Sequence, residues 1–332
     1  MENIREITKG NYNPAEHSSV QVSVWTTFSI LFGATLITIK VFFINLLKLF
    51  ERKIPKDIIN KVVLVTGGGN GLGRALSMRF AKEGCKIAIA DIDYKNAQKT
   101  AEEIKEKYKV DCKAFECDIT NYSAILKLKI DIENSLGPVD ILVNNAGYLY
   151  SSLFLSSGAE TIEKVIELNL TSQIKMTRTF LPTMIDRKYG HIISIASIGS
   201  LSTVLGGAVY NASKWGLNGF MSNLYDEIHI TKQDEFIKLT TIYPQYIDTR
   251  KELSDILDKA EFNLPRSTPE HVANKVVEGM LMNETKIIVS TTFITQFEII
   301  LTLMRFLPDE TRKYIYGSLM NLKKFHEVLK NF

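Results

Sequence analysis

The chain has few of the residues that build disulfides and metal sites. Only three of its 332 residues are cysteines, Cys85, Cys112 and Cys117, and their spacing matches no metal-binding motif. Three cysteines cannot all pair, which favours reduced thiols in a cytosolic compartment. The five histidines are scattered and form no ligand cluster. The sequence therefore predicts no metal site.

An excess of charge of one sign is also lacking. The sequence contains 40 Lys and Arg residues and 37 Asp and Glu residues, so its formal net charge is only +3. No dense basic block stands out. Proteins that bind nucleic acid concentrate positive charge on one face or tail. This balance argues against nucleic acid as a partner, and a hydrophobic content of 45% is ample for a sizeable core.

One long apolar run lies near the N-terminus. Residues 24–50 (VWTTFSILFGATLITIKVFFINLLKLF) are apolar apart from Lys40, Asn45 and Lys48. About 20 apolar residues span a bilayer, and the uninterrupted part, 24–39, is slightly short unless Lys40 extends toward the headgroups. We predict a spanning or hairpin-type membrane anchor, with a buried core helix as the alternative. A cleaved signal peptide fits poorly, because acidic residues precede the run.

Positive charge flanks this run mainly on its C-terminal side, within residues 48–56, whereas only Arg5 and Lys9 precede it. The positive-inside tendency therefore places the rest of the chain in the cytosol. Residues 292–307 are apolar again but include Glu298 and Arg305. A core helix and a second membrane-contacting helix are both compatible with that stretch.

Beyond residue 60, strand-like and helix-like stretches alternate. The predicted strands are residues 61–66, 86–90, 114–117, 139–143, 191–196, 238–243 and 287–289. The predicted helices are residues 71–83, 94–108, 122–134, 160–185, 210–230 and 269–282. Continuous apolar strands separated by helices predict an α/β fold with a doubly wound parallel sheet covered on both faces.

A glycine-rich turn, TGGGNGLGR at residues 66–74, joins the first strand to the first helix. Such a turn lets the backbone approach a pyrophosphate, which rests on the helix N-terminus. The spacing of Gly67, Gly71 and Gly73 is not GxGxxG, and three consecutive glycines could form a plain tight turn. Its position between a strand and a helix favours nucleotide binding.

Asp91 ends the second strand, 18 residues after Gly73. A carboxylate there can accept hydrogen bonds from the adenosine ribose and would repel a 2′-phosphate. Residues 68–70 supply no cation for such a phosphate, so the pattern favours NAD over NADP. Asp91 could instead cap the following helix, or it could share these two roles with Asp93.

Tyr210 and Lys214 form a YxxxK pattern on one face of a predicted helix. Free tyrosine, with a pKa of about 10, is a poor base near neutral pH, so we expect Lys214 to lower the pKa of Tyr210. Ser197 follows the fifth strand, where α/β sheets place ligands. Its hydroxyl could bind a substrate oxygen or simply stabilise a turn. Asn169, on the fourth helix, is uninformative in isolation.

Taken together, these motifs resemble the short-chain dehydrogenase/reductase superfamily. The matching features, in order over residues 60–290, are TGGGNGLGR, Asp118 in CDIT, NNAG at 144–147, Asn169, Ser197 and YNASK at 210–214. The resemblance implies a Rossmann-like fold with Tyr210 as general acid/base. Lys214 would lower the pKa of Tyr210 and hold the nicotinamide ribose. Ser197 would orient the substrate oxygen, and Asn169 would hold a water in the proton relay.

The resemblance also implies a cofactor-binding set. Asp118 and Ile119 would contact adenine, and Asn145 would line the cofactor cleft. PQYIDT at 244–249 is similar to the family's PG-motif, with Gln245 in place of the usual glycine, which leaves the local pocket shape open. The full predicted set is Gly67, Asn70, Gly71, Leu72, Gly73, Asp91, Asp118, Ile119, Asn145, Tyr210, Lys214, Pro244, Ile247 and Thr249.

The apolar N-terminus, the NAD preference and the C-terminal extension look like those of membrane-anchored retinol dehydrogenases and lipid-droplet 17-beta-hydroxysteroid dehydrogenases. The expected organisation is a polar segment (1–23), an anchor (24–50), an NAD-binding catalytic domain (60–290) and an apolar or amphipathic extension (291–332). We expect an enzyme of the endoplasmic reticulum membrane or lipid droplet, facing the cytosol. It would act on a lipophilic alcohol and form a homodimer.

Two alternatives stay open. One is a catalytically silent nucleotide-binding protein of the lipid-droplet or endoplasmic reticulum surface, although the full Asn, Ser, Tyr and Lys set argues against it. The other is a luminal NADP-dependent steroid reductase, against which Asp91 and the flanking charges argue. N-glycosylation would discriminate, because the sequons at Asn121, Asn169, Asn211 and Asn283 can be modified only in the lumen.

Overall fold

A computed structural model describes residues 54–201, 206–249 and 266–290, together with scattered positions within 25–40 and 307–314. The chain divides into two compact units, Met1–Ile54 and Pro55–Phe332. Most of the predicted anchor (24–50), the polar segment 1–23 and most of the extension 291–332 lie outside the described residues.

Within the first unit, the described residues between Trp25 and Lys40 are helical. Their large apolar side chains are exposed, Trp25 by 79% and Ile37 by 63%. The rings of Phe28 and Phe32 stack with centroids 6.4 Å apart. Within the described residues, no helix combines the length and apolar character needed to cross a membrane.

The second unit is built on a seven-stranded parallel sheet in the order β3-β2-β1-β4-β5-β6-β7. The strands are β1 Val62–Thr66, β2 Lys86–Asp91, β3 Cys112–Glu116, β4 Ile141–Asn144, β5 Gly190–Ile195, β6 Ile237–Pro244 and β7 Lys286–Val289. This confirms the predicted doubly wound sheet. The strand order reverses between β1 and β4, which is the position where such sheets bind ligands, at the carboxyl ends of the strands.

The predicted helical segments are present, with ends that differ from the prediction by a residue or two. The helices are α1 Gly71–Lys82, α2 Tyr94–Tyr108, α3 Tyr122–Ser135, α4 Ala159–Ile166, α5 Ser172–Asp186, α6 Ala208–Ile230 and α7 Pro269–Leu281. Local chemistry sets several of these ends. The side chains of Asp93, Asn121 and Thr268 accept backbone N–H bonds at the starts of α2, α3 and α7.

The hydrophobic core lies in two layers on opposite faces of the sheet, because alternate strand residues point to opposite sides. Val63 packs in the layer that contains Phe80 of α1. Its neighbour Leu64 packs in the layer that contains Phe180 of α5 and Leu217 of α6. The two layers hold the sheet rigid, so that the loops at its carboxyl edge have fixed starting points.

The predicted helix 160–185 has the correct extent but is not continuous. Between α4 and α5 the backbone makes a π-helical turn over Glu167–Thr171, with Asn169 at its centre. A π turn adds a residue to the helical turn and is frequent at functional sites. The prediction of one continuous helix from the sequence missed this interruption, and the buried residues in and just after the turn, Asn169, Ser172 and Gln173, are polar.

Candidate active site

A cavity of about 990 Å³ opens at the carboxyl ends of the strands. Its walls come from the loops after β1, β2, β3, β4, β5 and β6, which the parallel topology brings to the same edge. Every residue of the predicted cofactor-binding set lines this cavity, and so does Ser197. The predicted site residue that does not line the cavity is Asn169, whose side chain is buried behind the cavity wall.

The glycine turn after β1 has a backbone that other residues would not tolerate. Gly67 and Gly71 have φ of +63° and +51°, in the left-handed region that favours glycine. A Cβ on Gly73 would lie 1.9 Å from the carbonyl oxygen of Gly67. The turn can close this tightly against the start of α1 only because these positions carry no side chain.

The N-terminus of α1 is left open for an anion. The cap residue Asn70 makes no side-chain bond to the helix, and the first turn contains no acidic residue. The unsatisfied N–H groups and the positive end of the helix dipole suit a pyrophosphate. Thr249 lies over the turn, with its methyl carbon 3.4 Å from the position of a Cβ on Gly71. The glycine turn, the N-terminus of α1 and the Thr249 side chain above the turn together fit a dinucleotide.

Asp91 and Asp93 divide two tasks. Asp93 caps α2 by accepting the N–H of Asn96 at 3.1 Å. The carboxylate of Asp91 accepts the N–H of Gly69 at 2.8 Å and that of Asp93 at 3.0 Å, while it also lines the cavity. The helix-capping alternative for Asp91 is therefore wrong. Asp91 braces the glycine turn and presents negative charge beside it.

Asn145 and Asp118 hold the cavity walls in shape. The amide Nδ2 of Asn145 donates to the carbonyl oxygens of Thr66, at 2.9 Å, and Gly67, at 3.2 Å. Asp118 accepts both the N–H and the hydroxyl of Thr120, at 2.9 and 2.7 Å. These bonds tie the loop after β4 to the end of β1 and fix the turn after β3.

Ser197, Tyr210 and Lys214 converge on one wall. Burial raises the pKa of Tyr210, and a hydrogen bond with the Ser197 side chain lowers it. Nζ of Lys214 donates to the carbonyl oxygen of Ile195 at 2.7 Å and lies 5.9 Å from the centre of the Tyr210 ring. Burial lowers the pKa of Lys214 to about 8. This wall combines a buried phenol, a serine hydroxyl that hydrogen-bonds to it and a nearby cation.

One expectation about this wall needs correction. The sequence led us to expect that Lys214 would lower the pKa of Tyr210. Instead, burial has the largest effect and raises this pKa, and the hydrogen bond with Ser197 lowers it. The physical reason is placement. The ammonium of Lys214 is held by the carbonyl of Ile195 and faces the ring of Tyr210.

Asn169 is fully buried and serves as a clamp. Its Oδ1 accepts the N–H of Tyr148 at 2.7 Å, and its Nδ2 donates to the carbonyl of Tyr148 at 2.9 Å and to the Ser213 hydroxyl at 3.1 Å. Ser213 in turn donates to the backbone carbonyl of Tyr210 at 2.6 Å. The π turn therefore links the loop after β4 to the helix turn that carries Tyr210. The water-holding role implied by the resemblance stays a prediction.

Several cavity residues were not predicted. Tyr148, Tyr150 and Lys164 come from the loop after β4 and from α4, and Gln245 and Tyr246 follow β6. A signal existed for the last two, since Gln245 stands where the family pattern has glycine and Tyr246 is its neighbour. The first three lie outside every motif, and only the folded chain brings them to the cavity.

Comparison with known proteins places these features in context. A model of the short chain dehydrogenase family matches residues 61–256. Human epidermal retinol dehydrogenase 2 is 31% identical over 229 residues, covering 69% of this chain and 74% of the relative. Estradiol 17-beta-dehydrogenase 11 of Pongo abelii is 34% identical over 277 residues, covering 81% and 88%.

Solved structures agree on the fold. A short chain dehydrogenase/reductase from Burkholderia phymatum in complex with NAD superposes with a TM-score of 0.67 at 20% identity, covering 75% of this chain and 94% of the other. L-sorbose reductase from Gluconobacter frateurii, complexed with NADPH and L-sorbose, superposes with a TM-score of 0.66 at 26% identity, covering 73% of this chain and 99% of the reductase chain. Proteins with this fold therefore carry either nicotinamide cofactor.

Proposed function

This chain belongs to the short chain dehydrogenase family of oxidoreductases, and on that premise we propose that it transfers a hydride between NAD(H) and a lipophilic alcohol or carbonyl compound. The observation that carries the proposal is the convergence of Ser197, Tyr210 and Lys214 on a wall of the cavity that the glycine turn also lines. Proton-transfer groups and a dinucleotide cradle in one cavity are what alcohol oxidation requires.

The cofactor, when bound, supplies the hydride acceptor or donor. Ser197 binds the substrate oxygen with its hydroxyl, which also contacts Tyr210. Tyr210 removes the hydroxyl proton during oxidation and returns it during reduction. The ammonium of Lys214 lies 5.9 Å from the centre of the Tyr210 ring and lines the same cavity, where it would hold the ribose of the nicotinamide nucleotide. General acid–base transfer of this kind contributes roughly 10²–10⁴-fold to a rate.

The preference for NAD is supported by charge. Asp91 lines the cavity beside the glycine turn, and the apolar residue Ile92 follows it. Among the described residues, the cations that line the cavity are Lys164 and Lys214, and neither belongs to the loop after β2. A 2′-phosphate there would meet a carboxylate without a compensating cation.

The lipophilic substrate class and a membrane or lipid-droplet location are also part of the proposal. The apolar run 24–50 motivates the location, since a catalytic domain tethered to a membrane meets substrates dissolved in it. The names of the relatives, a retinol dehydrogenase and an estradiol dehydrogenase, support lipid alcohols as substrates.

We further propose a homodimer formed through the helical segments that carry Asn169 and Tyr210. Supporting it, α6 exposes Trp215 by 36% and Tyr225 by 43%. Large exposed aromatic side chains on one helix suit an interface with a second copy. Light scattering of the detergent-solubilised protein tests this, and a monomer at all concentrations would reject it.

The central test is Tyr210→Phe in purified, detergent-solubilised, full-length protein. The variant should lose turnover of retinol, steroids and long-chain alcohols by roughly 10²–10⁴-fold, because the ring persists and the proton-transfer hydroxyl is gone. Binding of NADH, followed by fluorescence, should persist. Tyr122→Phe is the matched control, since Tyr122 is exposed at the start of α3, away from the cavity. Near-normal turnover by Tyr210→Phe would reject the assignment.

A further inference from the structure

We propose that Lys164 binds a carboxylate at the far end of the substrate, so that the enzyme acts on a lipid alcohol that is also an acid, such as a long-chain hydroxy acid. This inference rests on the proposed function, because it specifies the substrate class of the same cavity. Among the described residues, Lys164 and Lys214 are the cations that line the cavity. Lys214 is held by the carbonyl of Ile195, which leaves Lys164 to recognise an anion.

Lys164 reaches the cavity from the last turn of α4. Leu168 follows it four residues later, in the π turn, and both side chains line the cavity. Residues four apart share one face of a helix, so this face of α4 is turned toward the cavity. Lys164 is also exposed to solvent. It therefore lies at the mouth of the cavity, where a charged substrate group can keep part of its hydration.

Measured contacts connect Lys164 to the wall that carries Lys214. A Cβ on Gly147 would lie 3.7 Å from Nζ of Lys214, so the loop after β4 passes directly beside that ammonium. The next residue is Tyr148, and Nζ of Lys164 lies over its ring, 5.5 Å from the ring centre. One tyrosine side chain therefore separates the two lysines along the cavity. A substrate whose alcohol lies beside Ser197 extends past Tyr148 to reach Lys164.

The loop between the two lysines is held at both ends. The backbone of Tyr148 bonds to Asn169 through its N–H, at 2.7 Å, and through its carbonyl, at 2.9 Å. The N–H of Ser152 donates to the carbonyl of Gly206 at 2.8 Å, and the rings of Tyr148 and Tyr150 stack with centroids 6.2 Å apart. A subsite on a fixed backbone positions a ligand group well.

The acidic residues near Lys164 on the helix do not neutralise it. Glu167 pairs instead with Lys175, at 2.6 Å. Within the described part of the chain, no ion pair joins Lys164 to Glu160 or to Glu163, and its ammonium contacts the ring of Tyr148. A lysine ammonium has three N–H donors, and a contact with a ring face uses none of them for a hydrogen bond to oxygen. These donors remain for a ligand.

The charges along the cavity are separated by sign. In the described part of the chain, the charged residues that line it are Asp91, Asp118, Lys164 and Lys214. The two acids follow β2 and β3, where the proposed function places the adenosine, and the two lysines belong to α4 and α6. The substrate end is therefore positive. A complementary charge on a ligand favours its encounter and its orientation.

A carboxylate suits this end better than a phosphate. A single ammonium balances the one negative charge of a carboxylate, whereas a phosphate monoester carries about −1.5 to −2 at neutral pH. Hydrogen bonds between an ammonium and a carboxylate are charge-assisted and are stronger than those between neutral groups. The apolar residues Leu149 and Leu168 also line the cavity and provide contacts for the hydrocarbon between the alcohol and the acid.

The test compares ω-hydroxy fatty acids of increasing chain length with their methyl esters, using full-length protein in one non-ionic detergent. The measured quantity is the ratio of kcat/KM for the acid to kcat/KM for its ester, at the chain length where the wild-type ratio is highest. Lys164→Met should lower this ratio by about fivefold, the effect of one partly exposed ion pair. Lys164→Glu should lower it further by repulsion, and Lys164→Arg should keep most of it.

The matched control is Lys99→Met, which removes the same charge from the exposed surface of α2, away from the cavity, and should leave the ratio unchanged. Thermal melting verifies that each variant is folded. A ratio that Lys164→Met and Lys164→Glu do not change would overturn the subsite, and so would an equal fall in the control. Weaker NADH binding by Lys164→Met would assign the lysine to the cofactor and overturn it as well. Absence of turnover with all acids and esters, in contrast, would overturn the proposed function itself.

Discussion

Lys214→Met should stabilise the cofactor-free protein while it abolishes activity. Lys214 is 4% exposed, and burial lowers its pKa from 10.5 to about 8. Each pKa unit corresponds to about 1.4 kcal/mol, so at pH 7 the folded protein is destabilised by about 3 kcal/mol because it holds this amine charged. Methionine has a similar length and no charge, which removes that cost.

One contact is lost in exchange. Nζ of Lys214 donates to the carbonyl of Ile195 at 2.7 Å, and removal of such a bond costs about 1 kcal/mol. The net expected gain is therefore about 2 kcal/mol at pH 7. In a domain of this size, such a gain raises Tm by roughly 4–8 °C. Such a gain would show that the protein keeps a charged side chain needed for catalysis although its burial destabilises the folded state.

The pH dependence gives a sharper test. Because the folded-state pKa of Lys214 lies below that of the unfolded chain, the unfolded chain binds more protons between about pH 8 and 10.5. Wild-type stability therefore rises over that interval. The advantage of the methionine variant should be complete below pH 8 and should disappear above pH 10.5.

Urea unfolding of the detergent-solubilised proteins at pH 7 and at pH 10.5 measures this difference. The control is Lys99→Met on the exposed surface of α2, which should change the free energy of unfolding by less than about 0.5 kcal/mol. A methionine variant at position 214 that is less stable than wild type at pH 7, or a gain that does not vary with pH, would refute the reasoning.

Three further outcomes are expected. Asp91→Asn with Ile92→Arg should raise the ratio of NADPH to NADH kcat/KM by at least about tenfold, since it removes a repulsive charge and adds an attractive one; a wild type that already prefers NADPH would contradict this. Gly73→Ala should abolish NADH binding in fluorescence titrations, whereas Gly219→Ala, with open space around its Cβ, should not. Full-length protein should stay with membranes after high-salt washing, and deletion of residues 1–50 should release much of it; solubility without detergent would reject the anchor.

The sequence by itself determined the order of the elements and the position of the cofactor turn. Strands such as β1 are short apolar runs, and α2 begins at the capping residue Asp93 and ends before Lys109, which has φ of 57°. These signals lie within a few residues of the feature they specify, so no knowledge of distant contacts is needed. The i, i+4 spacing of Tyr210 and Lys214 is a local signal of the same kind, because it is read from neighbouring positions on one helix.

Only the tertiary structure decided how the site residues act. Asn169 is a clamp because Tyr148 and Ser213 reach it from other elements, 21 and 44 residues away. The direction of the Tyr210 pKa shift depends on burial and on Ser197, neither of which is encoded near position 210. The orientation of Gln245 depends on Ser290, 45 residues later in the chain. Burial and hydrogen bonds between distant residues arise only when the sheet has assembled, which is why local patterns do not predict them.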